Sequence, residues 1–425
     1  MDIESRRQRL QEALSSNLDF HEQSSTYSTH ALHAFAAKFP PQLPRTFIES
    51  LTSPGETVLD PMMGSGTTVL EAMLLGRRAV GVDIDPLAVR LCRVKTGIVD
   101  LDYATQAGQH CIARALGLME KDQSMLNQEL DRRFDSATRD FLDYWFAHDT
   151  QQELLALLLN IEREADKAVR ELLEVVLSST IITKSGGVSL ARDLAHTRPH
   201  RVLSKQRRSA VTQFKLRMGR AVEALSALPT GRTSAELHEA DARDLPLADE
   251  SADLVVTSPP YANALDYMRA HKFSLAWLGQ PIGKLSELRS VYIGAERLRD
   301  VRVSDLPADA VRRVADVSRA DQRKGRIFAQ YLLAMQGALG EVLRVLRRGA
   351  PAVVVVGPSS IRGRSVPTHE LLASVAEQVG FALVGLVRRE LDRNRRMMPF
   401  RRGEPVSEGI EHRLHEEFVL GMVKP

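Results

Sequence analysis

Cysteine is scarce in this sequence: Cys92 and Cys111 are the only two among 425 residues, too few for a disulfide framework. Long apolar stretches are also missing, since no run approaches the roughly 20 residues that cross a bilayer. The chain begins MDIESRRQRLQEAL, which has no apolar core of a secretion signal. These absences predict a cytoplasmic protein in a reducing compartment, without a membrane partner.

Net charge gives little information about binding partners. The formal charge is only +3, which does not by itself indicate a nucleic-acid binder, so the distribution of basic residues has to be considered. His30, His33, His196 and His200 show no metal-ligand spacing with the two cysteines. We therefore expect these histidines to be loop residues, and we expect no metal site.

Alternating strand and helix patterns predict the fold class. The segment ETVLD, PMMGSG, TTVLEAMLLG reads as strand, turn and helix, and RAVGVDID followed by a helix from Pro86 extends it to a βαβ unit. The alternation stops near residue 101 and resumes near residue 236, and the apolar residues in between recur at helical spacing. We therefore predict an α/β fold: a doubly wound sheet whose halves, 1–100 and 236–425, are separated by a mainly helical insertion at 101–235.

The strongest local motif is VLDPMMGSGTT, in which a buried strand ends at Asp60 and turns into a helix. Gly64, Ser65 and Gly66 would let the backbone approach a ligand, and the helix N-terminus would supply free N–H groups for a phosphate or an amino-acid carboxylate. The turn lacks the lysine of a P-loop. The next strand ends in GVDIDP, where Asp83 could accept hydrogen bonds from both hydroxyls of a ribose. A structural turn with a helix-capping aspartate is the alternative.

The second motif, DLVVTSPPY, ends in Ser258, Pro259, Pro260 and Tyr261 directly after a buried strand. Two consecutive prolines fix an extended backbone and stop further sheet hydrogen bonding. They would hold the Ser258 hydroxyl and the Pro259 carbonyl in a fixed orientation at the carboxyl end of the strand, where ligands of open α/β sheets bind. Tyr261 offers a flat face for stacking. The alternative is an ordinary turn with a packed tyrosine.

Taken together, DPMMGSGTT, GVDIDP and TSPPY resemble the motifs of the amino-methyltransferases that modify DNA bases. The preceding segment HALHAFAAKFPPQLP is similar to the element that closes over the methionine end of the cofactor in that family. The resemblance covers residues 28–97 and 236–425, with the cofactor loop before the catalytic motif. It implies a Rossmann-like class I fold and S-adenosylmethionine as the cofactor. One departure is the pair Met62 and Met63, where the family often has phenylalanine.

The resemblance implies a set of cofactor contacts. Asp83 would hold the ribose, Ile84 would pack on the adenine, and Asp241 would lie near the adenine amino group. The glycine turn would hold the methionine part of the cofactor. The complete set of implied contacts is Phe35, Lys38, Asp60, Pro61, Gly64, Ser65, Gly66, Thr67, Asp83, Ile84 and Asp241.

The resemblance also implies methylation of an exocyclic amino group. The lone pair of an aromatic amine is delocalised into the ring, and hydrogen bonds from the amine to Ser258 and to the Pro259 carbonyl would free it. Tyr261 would stack on a base rotated out of the duplex. Methylation of cytosine carbon 5 would need a thiolate, and neither cysteine lies near the SPPY motif. No metal and no covalent intermediate are expected.

We interpret Ser258 as favouring site-specific methylation of cytosine N4, because serine at this position is commoner among the cytosine enzymes of the resembling family. The alternatives are adenine N6, an RNA guanine amino-methyltransferase, which usually carries aspartate before the two prolines, and a non-catalytic DNA-binding protein with a degenerate fold. The expected partner is double-stranded DNA, and a cognate restriction enzyme is a candidate second partner.

Two clusters of basic residues are candidates for contact with DNA phosphates. The segment 184–220, at the end of the insertion, contains ten basic residues and one acidic residue, and the segment 388–402 is also basic. A solvated helix face is the alternative explanation of such charge runs. Asp266 and Tyr267, close after the catalytic motif, are candidates for the wall on the base side. The predicted DNA contacts are Arg198, Arg201, Lys205, Arg207, Arg208, Lys215, Asn263, Arg395 and Arg396.

Overall fold

A computed structural model describes most of the chain. The described residues are 3–36, 38–183, 187–192, 194, 199–232, 234–262, 266–295, 301–361, 364–391 and 415–425. Four of the predicted DNA contacts, Arg198, Asn263, Arg395 and Arg396, lie outside the described residues, and so does His196.

In the part of the chain that the structure describes, seven strands form one central sheet and four short strands form two hairpins. The strands, numbered along the chain, are β1 (Thr57–Asp60), β2 (Arg78–Asp83), β3 (Ala191–Arg192), β4 (His200–Arg201), β5 (Glu236–Glu239), β6 (Leu254–Thr257), β7 (Pro351–Val356), β8 (Ser359–Ile361), β9 (Arg364–Val366), β10 (Ala382–Glu390) and β11 (Glu416–Val423).

The order of the central strands is β5–β2–β1–β6–β7–β11–β10. Neighbouring strands from β5 to β7 are parallel, whereas β11 runs antiparallel to both β7 and β10. The strand order reverses between β1 and β6, which makes this junction the switch point where open α/β sheets bind ligands. This arrangement confirms the predicted Rossmann-like α/β class and brings together the carboxyl ends of the two strands that carry the predicted motifs.

Helices cover both faces of the sheet. They are α1 (Ile3–Ser15), α2 (Gln42–Leu51), α3 (Thr67–Leu74), α4 (Pro86–Thr96), α5 (Leu101–Lys121), α6 (Gln123–Arg133), α7 (Ser136–Trp145), α8 (His148–Ile161), α9 (Lys167–Ile181), α10 (Ala210–Ser226), α11 (Met268–Leu275), α12 (Ile282–Arg289), α13 (Ala308–Ala320), α14 (Gln322–Val345) and α15 (Thr368–Val379). Short 3-10 helices occupy Ser28–Ala31 and Val303–Asp305. Among the described helices, none is both long and apolar enough to cross a membrane.

The buried strands explain why the sheet forms. All six residues of β7, PAVVVV, are buried, as expected for a strand that is covered on both faces. Val353 and Val355 join one apolar cluster, whereas Val354 and Val356 join another, so alternate side chains pack on opposite faces of the sheet. The sheet is therefore the rigid layer on which the loops at its carboxyl edge are placed.

Several helices begin at a side chain that caps their free N–H groups. Asp85 accepts hydrogen bonds from the first turn of α4, and Asp100, Asp135 and Asp166 do the same for α5, α7 and α9. Each such cap stabilises a helix by about 1 kcal/mol. These caps help to define where the helices of the insertion start.

The insertion, α5 to α10, packs against the segment that follows the predicted catalytic motif. The ring of Trp277, next to α11, is fully buried and lies 5.6 Å from both Phe134 and Phe146, measured between ring centroids. A salt bridge of 2.8 Å joins Arg93 of α4 to Glu171 of α9. The insertion is thus fixed on the side of the sheet that carries the glycine turn.

Candidate active site

The glycine turn joins β1 to α3. Gly64 and Gly66 adopt the left-handed conformation, with φ of +48° and +72°. A Cβ atom on Gly66 would lie 2.3 Å from the Cys92 sulfur, and one on Gly64 would lie 3.2 Å from the Phe35 ring. Both glycines are therefore required by backbone conformation and by close packing: α4 lies behind the turn, and Phe35 covers it.

The Asp60 carboxylate lies behind the turn. Its Oδ1 accepts hydrogen bonds from the Thr257 hydroxyl at 2.7 Å and from the Met62 N–H at 3.2 Å. Burial raises the pKa of Asp60 to about 6. Asp60 thus joins the carboxyl ends of β1 and β6 at the switch point.

Asp83 connects the turn to the second strand. One of its oxygens accepts from the Gly64 N–H at 2.8 Å, and the other accepts from the Asp85 N–H at 2.9 Å. Burial, together with the neighbouring Asp85 charge, raises the pKa of Asp83 to about 7. Each carboxylate oxygen can accept a further hydrogen bond, so Asp83 retains acceptor sites for ligand hydroxyls.

A cleft of about 840 Å³, partly open to solvent, lies over the glycine turn and beside the end of β6. Of the implied cofactor contacts, all except Asp60 and Gly66 line it. They are Phe35, Lys38, Pro61, Gly64, Ser65, Thr67, Asp83, Ile84 and Asp241. Ser258 and Pro260 line the same cleft. The structure therefore brings together residues that are more than 200 positions apart in sequence.

The chemistry of the cleft fits S-adenosylmethionine. The N-terminus of α3 can accept a carboxylate, and Asp83 can accept ribose hydroxyls. Apolar walls come from Phe35, Ile84 and residues that the sequence did not indicate as contacts, among them Met63 and Ile293. The groups present thus match the amino-acid, sugar and base parts of this cofactor.

Asp241 lines the cleft but is already engaged. Its carboxylate forms a two-point pair with Arg243, at 2.9 Å and 2.5 Å, and Arg243 also donates to the Val291 carbonyl at 2.9 Å. This arginine therefore holds the loop that carries Val291, Tyr292 and Ile293 against the cleft. No motif in the sequence marks this loop.

The segment before α2 is fixed to α3 by a buried network. Glu71 of α3 accepts hydrogen bonds of 2.7 Å from the Tyr27 hydroxyl and from His30 Nε2. Burial lowers the pKa of His30 to about 4, so its imidazole is neutral. Lys38 donates to the His30 carbonyl at 2.7 Å, which places the Lys38 side chain in the cleft wall.

His30 and His33 were expected to be loop residues, and the structure places both in the interior. His33 bonds to Ser178 of α9 through Nε2 at 2.8 Å, and burial lowers its pKa to about 3. The Phe35 ring lies 5.0 Å from the ring of His271. These contacts attach the segment to the insertion and to α11, which no single local motif could have indicated.

The predicted catalytic motif follows β6. Ser258 is partly exposed in the cleft, whereas Pro259 is buried. Tyr261 is 8% exposed, and its hydroxyl donates to Glu417 of β11 at 2.7 Å. The aromatic side chains that line the cleft on this side are Tyr267, a sequence candidate, and Tyr292, which the sequence did not indicate. The stacking role of Tyr261 stays a prediction.

A second cavity of about 1000 Å³ adjoins the cleft. Pro260, Tyr267, Tyr292 and Ile293 line both spaces, and they form what we call the shared wall. The second cavity is also lined by cationic side chains and by the Asp266 carboxylate. Asp266 pairs with Arg269 at 3.2 Å and also with Arg289; Lys324 completes the charged lining.

The described part of the basic segment is less uniform than the sequence suggests. Lys205 donates to three carbonyls, those of Gly187, Ser189 and Ala191, at 2.5–2.8 Å. All three N–H groups of this ammonium are thus used within the insertion, and we no longer place Lys205 among the phosphate contacts. Its sequence neighbours gave no sign of this fold-dependent contact.

The other predicted DNA contacts that the structure describes in this segment keep exposed charges. Arg207 pairs with Asp149 at 3.3 Å, and the guanidinium of Arg201 lies 4.3 Å from the centre of the Tyr144 ring. Arg208 and Lys215 are exposed. Within the described residues, no group of three or more His, Cys, Asp or Glu side chains could hold a metal ion.

Comparisons with known proteins show similarity to DNA methyltransferases. Residues 5–93 match the family described as DNA methylase. Type II methyltransferase M.MvaI of Kocuria varians is 22% identical over 374 residues, covering 82% of this chain and 80% of that protein. Type II methyltransferase M.BsoBI of Geobacillus stearothermophilus is 21% identical over an alignment of 432 residues, covering 87% and 82%.

Among solved structures, a TehB-like SAM-dependent methyltransferase from Corynebacterium glutamicum matches with a TM-score of 0.29 and 11% identity, over 90% of this chain and 87% of that one. The family match and the two relatives support a DNA amino-methyltransferase family for this chain, and this class of enzyme uses S-adenosylmethionine.

Proposed function

We propose that this protein transfers a methyl group from S-adenosylmethionine to the N4 amine of cytosine at a specific site in double-stranded DNA. The observation that carries the proposal is the position of Ser258: it lines the cleft over the glycine turn, two residues before the shared wall. A base that enters through the second cavity would therefore present its amine between Ser258 and the methionine end of the cleft.

Most of the residues that we propose for the cofactor site belong to the chain's first half. The glycine turn and the α3 N-terminus would hold the amino-acid carboxylate, Asp83 the ribose and Ile84 the adenine. S-adenosylmethionine supplies an electrophilic methyl group on a sulfonium when it is bound. The protein's task is then to orient the acceptor amine toward that methyl group and to exclude water.

Ser258 and Pro259 would act on the amine. The Ser258 hydroxyl oxygen and the Pro259 carbonyl are both acceptors, so each can take one N–H of an exocyclic amine. With both N–H groups held, the nitrogen is drawn out of conjugation and its lone pair points away from the acceptors. Positioning by these two groups accounts for catalysis without a metal or a covalent intermediate.

The second cavity provides an entrance from the DNA side. A base must leave the duplex to reach Ser258, and the two tyrosines of the shared wall, Tyr267 and Tyr292, offer aromatic faces next to it. The arginines Arg269 and Arg289 line the same cavity and could attract the phosphates that flank an extruded base. Tyr261 remains a stacking candidate through its ring.

The choice of cytosine rests on Ser258. Serine in the first position of this motif is commoner among the cytosine enzymes of the family, whereas aspartate or asparagine is commoner among the adenine enzymes. A serine hydroxyl is also smaller than either of those side chains. Adenine N6 is the second candidate, because its amine offers the same two N–H donors.

The test is product analysis. The purified protein is incubated with duplex DNA and S-adenosylmethionine, and the DNA is digested to nucleosides for mass spectrometry. We expect N4-methylcytosine from the wild type, a strong loss with Ser258→Ala, and no loss with Ser251→Ala on the surface loop before β6. N6-methyladenine as the sole product would refute the base assignment. Cofactor binding without transfer to any nucleic acid would refute the enzymatic function.

A further inference from the structure

A lysine side chain lies in the protein interior against the glycine turn. Lys95, in the last turn of α4, is only 1% exposed, and lysine is almost never buried to this extent unless it is paired. Its ammonium donates to the Ser65 carbonyl at 2.5 Å, and its own main-chain carbonyl accepts from the Thr29 hydroxyl at 3.0 Å. The ammonium is thus held at the turn itself, although no motif of the sequence marks this lysine.

The charge of Lys95 shares its nearest buried anion with other groups. The Glu71 carboxylate, also fully buried, stabilises the ammonium. However, Glu71 accepts hydrogen bonds from Tyr27 and His30, and it pairs with Arg45. Burial lowers the pKa of Lys95 to about 8, so the ammonium is still mostly protonated at neutral pH. Burying a cation with a shared partner costs free energy, and an anion that binds nearby would offset this cost.

The ammonium lies next to the part of the cleft that would hold the amino-acid end of the cofactor. Ser65, whose carbonyl accepts from the ammonium, lines the cleft together with Gly64 and Thr67. The carboxylates of Asp60 and Asp83 also bond to N–H groups of this turn. They would attract the ammonium and the sulfonium of S-adenosylmethionine and repel its carboxylate. A cation at the turn would therefore favour binding of that carboxylate.

We propose that Lys95 is a positioning residue for the cofactor: its buried ammonium holds the glycine turn through the Ser65 carbonyl and supplies positive charge that balances the carboxylate of S-adenosylmethionine. The ammonium need not touch the ligand, since a charge in a poorly solvated region acts across a layer of peptide groups. This inference rests on the proposed function and deepens its cofactor site.

Lys95→Met tests the charge. The probes are S-adenosylmethionine and its decarboxylated analogue, which retains the ammonium and the sulfonium but lacks the carboxylate. Isothermal titration of the full chain should show the Kd for S-adenosylmethionine raised about 10- to 30-fold, the effect of one charge–charge interaction in a poorly solvated site. The Kd for the decarboxylated analogue should not rise, because that analogue carries only positive charges, which Lys95 repels.

Lys95→Gln separates the charge from the hydrogen bond, and it keeps the inference testable if Lys95→Met does not fold. The glutamine amide retains N–H donors for the Ser65 carbonyl but has no charge. We expect the same selective loss of affinity as with methionine. Wild-type affinity of Lys95→Gln for S-adenosylmethionine would overturn the proposal. An equal loss for both ligands in either variant would overturn it as well, since Lys95 would then only hold the turn in place.

The matched control is Thr29→Val, which removes the hydrogen bond to the Lys95 main chain and leaves the ammonium in place. The ratio of the two Kd values should stay that of the wild type. A selective loss as large as that of Lys95→Met would overturn the assignment to the ammonium. These titrations need neither DNA nor turnover. A wild type that binds the cofactor but methylates no DNA would therefore overturn the proposed function and not this inference.

Discussion

Binding of S-adenosylmethionine should release a proton near neutral pH, and the release should depend on Asp83. Burial and the Asp85 charge raise the pKa of Asp83 to about 7, so about three quarters of the molecules carry a protonated Asp83 at pH 6.5. Ribose hydroxyls donate hydrogen bonds and therefore favour the ionised carboxylate. Binding should then release about three quarters of a proton per molecule at pH 6.5 and almost none at pH 8.5.

The affinity should follow the same titration. A ligand that needs the ionised form binds about tenfold more weakly for each pH unit below the pKa, so the Kd should rise about tenfold between pH 8 and pH 6. The folded state holds this proton more tightly than the unfolded chain does. For this reason the free protein should lose stability as pH rises from about 4 to about 7, the opposite of a salt-bridged aspartate.

Isothermal titration in two buffers of different ionisation enthalpy counts the protons released. Asp83→Asn removes the titration and should weaken binding about 10- to 100-fold at every pH. Asp60, whose pKa is raised to about 6, titrates nearby, but its carboxylate faces Thr257 and Met62 behind the turn. Equal binding enthalpies in both buffers at pH 6.5 would refute the assignment of Asp83 to the ribose.

Two further predictions concern packing and DNA. Gly66→Ala should lower the free energy of unfolding by about 2–5 kcal/mol, because a left-handed φ costs about 1–2 kcal/mol and overpacking against Cys92 costs about 1–3 kcal/mol. Chemical denaturation measures this loss. An unchanged denaturation midpoint would contradict the close packing of Gly66 against Cys92. If Arg208 and Lys215 contact phosphates, neutralising each should reduce the slope of the logarithm of the DNA-binding constant against the logarithm of salt concentration by about one unit. Lys205→Met should leave this slope unchanged and should destabilise the insertion, because Lys205 bonds to three carbonyls there. Identical slopes for all three variants would show that Arg208 and Lys215 do not contact phosphates, and would favour a solvated helix face.

The sequence predicted those parts of the site that lie within one local motif. Gly64 and Asp83 belong to one strand–turn–helix–strand unit, in which the spacing along the chain brings the turn close to the end of the second strand. In the structure the Gly64 N–H donates to an Asp83 carboxylate oxygen at 2.8 Å. Ser258 was predicted to join them because parallel strands end at one edge of the sheet. Such inferences need only the periodicity of the strands and their order.

Other features depended on contacts between distant positions. Tyr261 was predicted from the motif, but its partner Glu417 lies 156 residues further along, in a strand that carries no motif. The loop with Tyr292 is held by Arg243 through a main-chain carbonyl, and a carbonyl is present at every residue. Lys205 looked like its basic neighbours until the fold supplied three carbonyls around it. Such partners cannot be predicted from charge and residue type alone.

The shared wall has a thermodynamic consequence. The four residues of the shared wall, Pro260, Tyr267, Tyr292 and Ile293, line the cleft and also the second cavity. A ligand that restricts this layer from one side changes the free energy of filling the other side, and linkage makes this change the same in both directions. If the cofactor fills the cleft and the base fills the second cavity, as proposed, the shared wall should couple their affinities. Substitutions in the wall should then change this coupling without removing a charged group from either space.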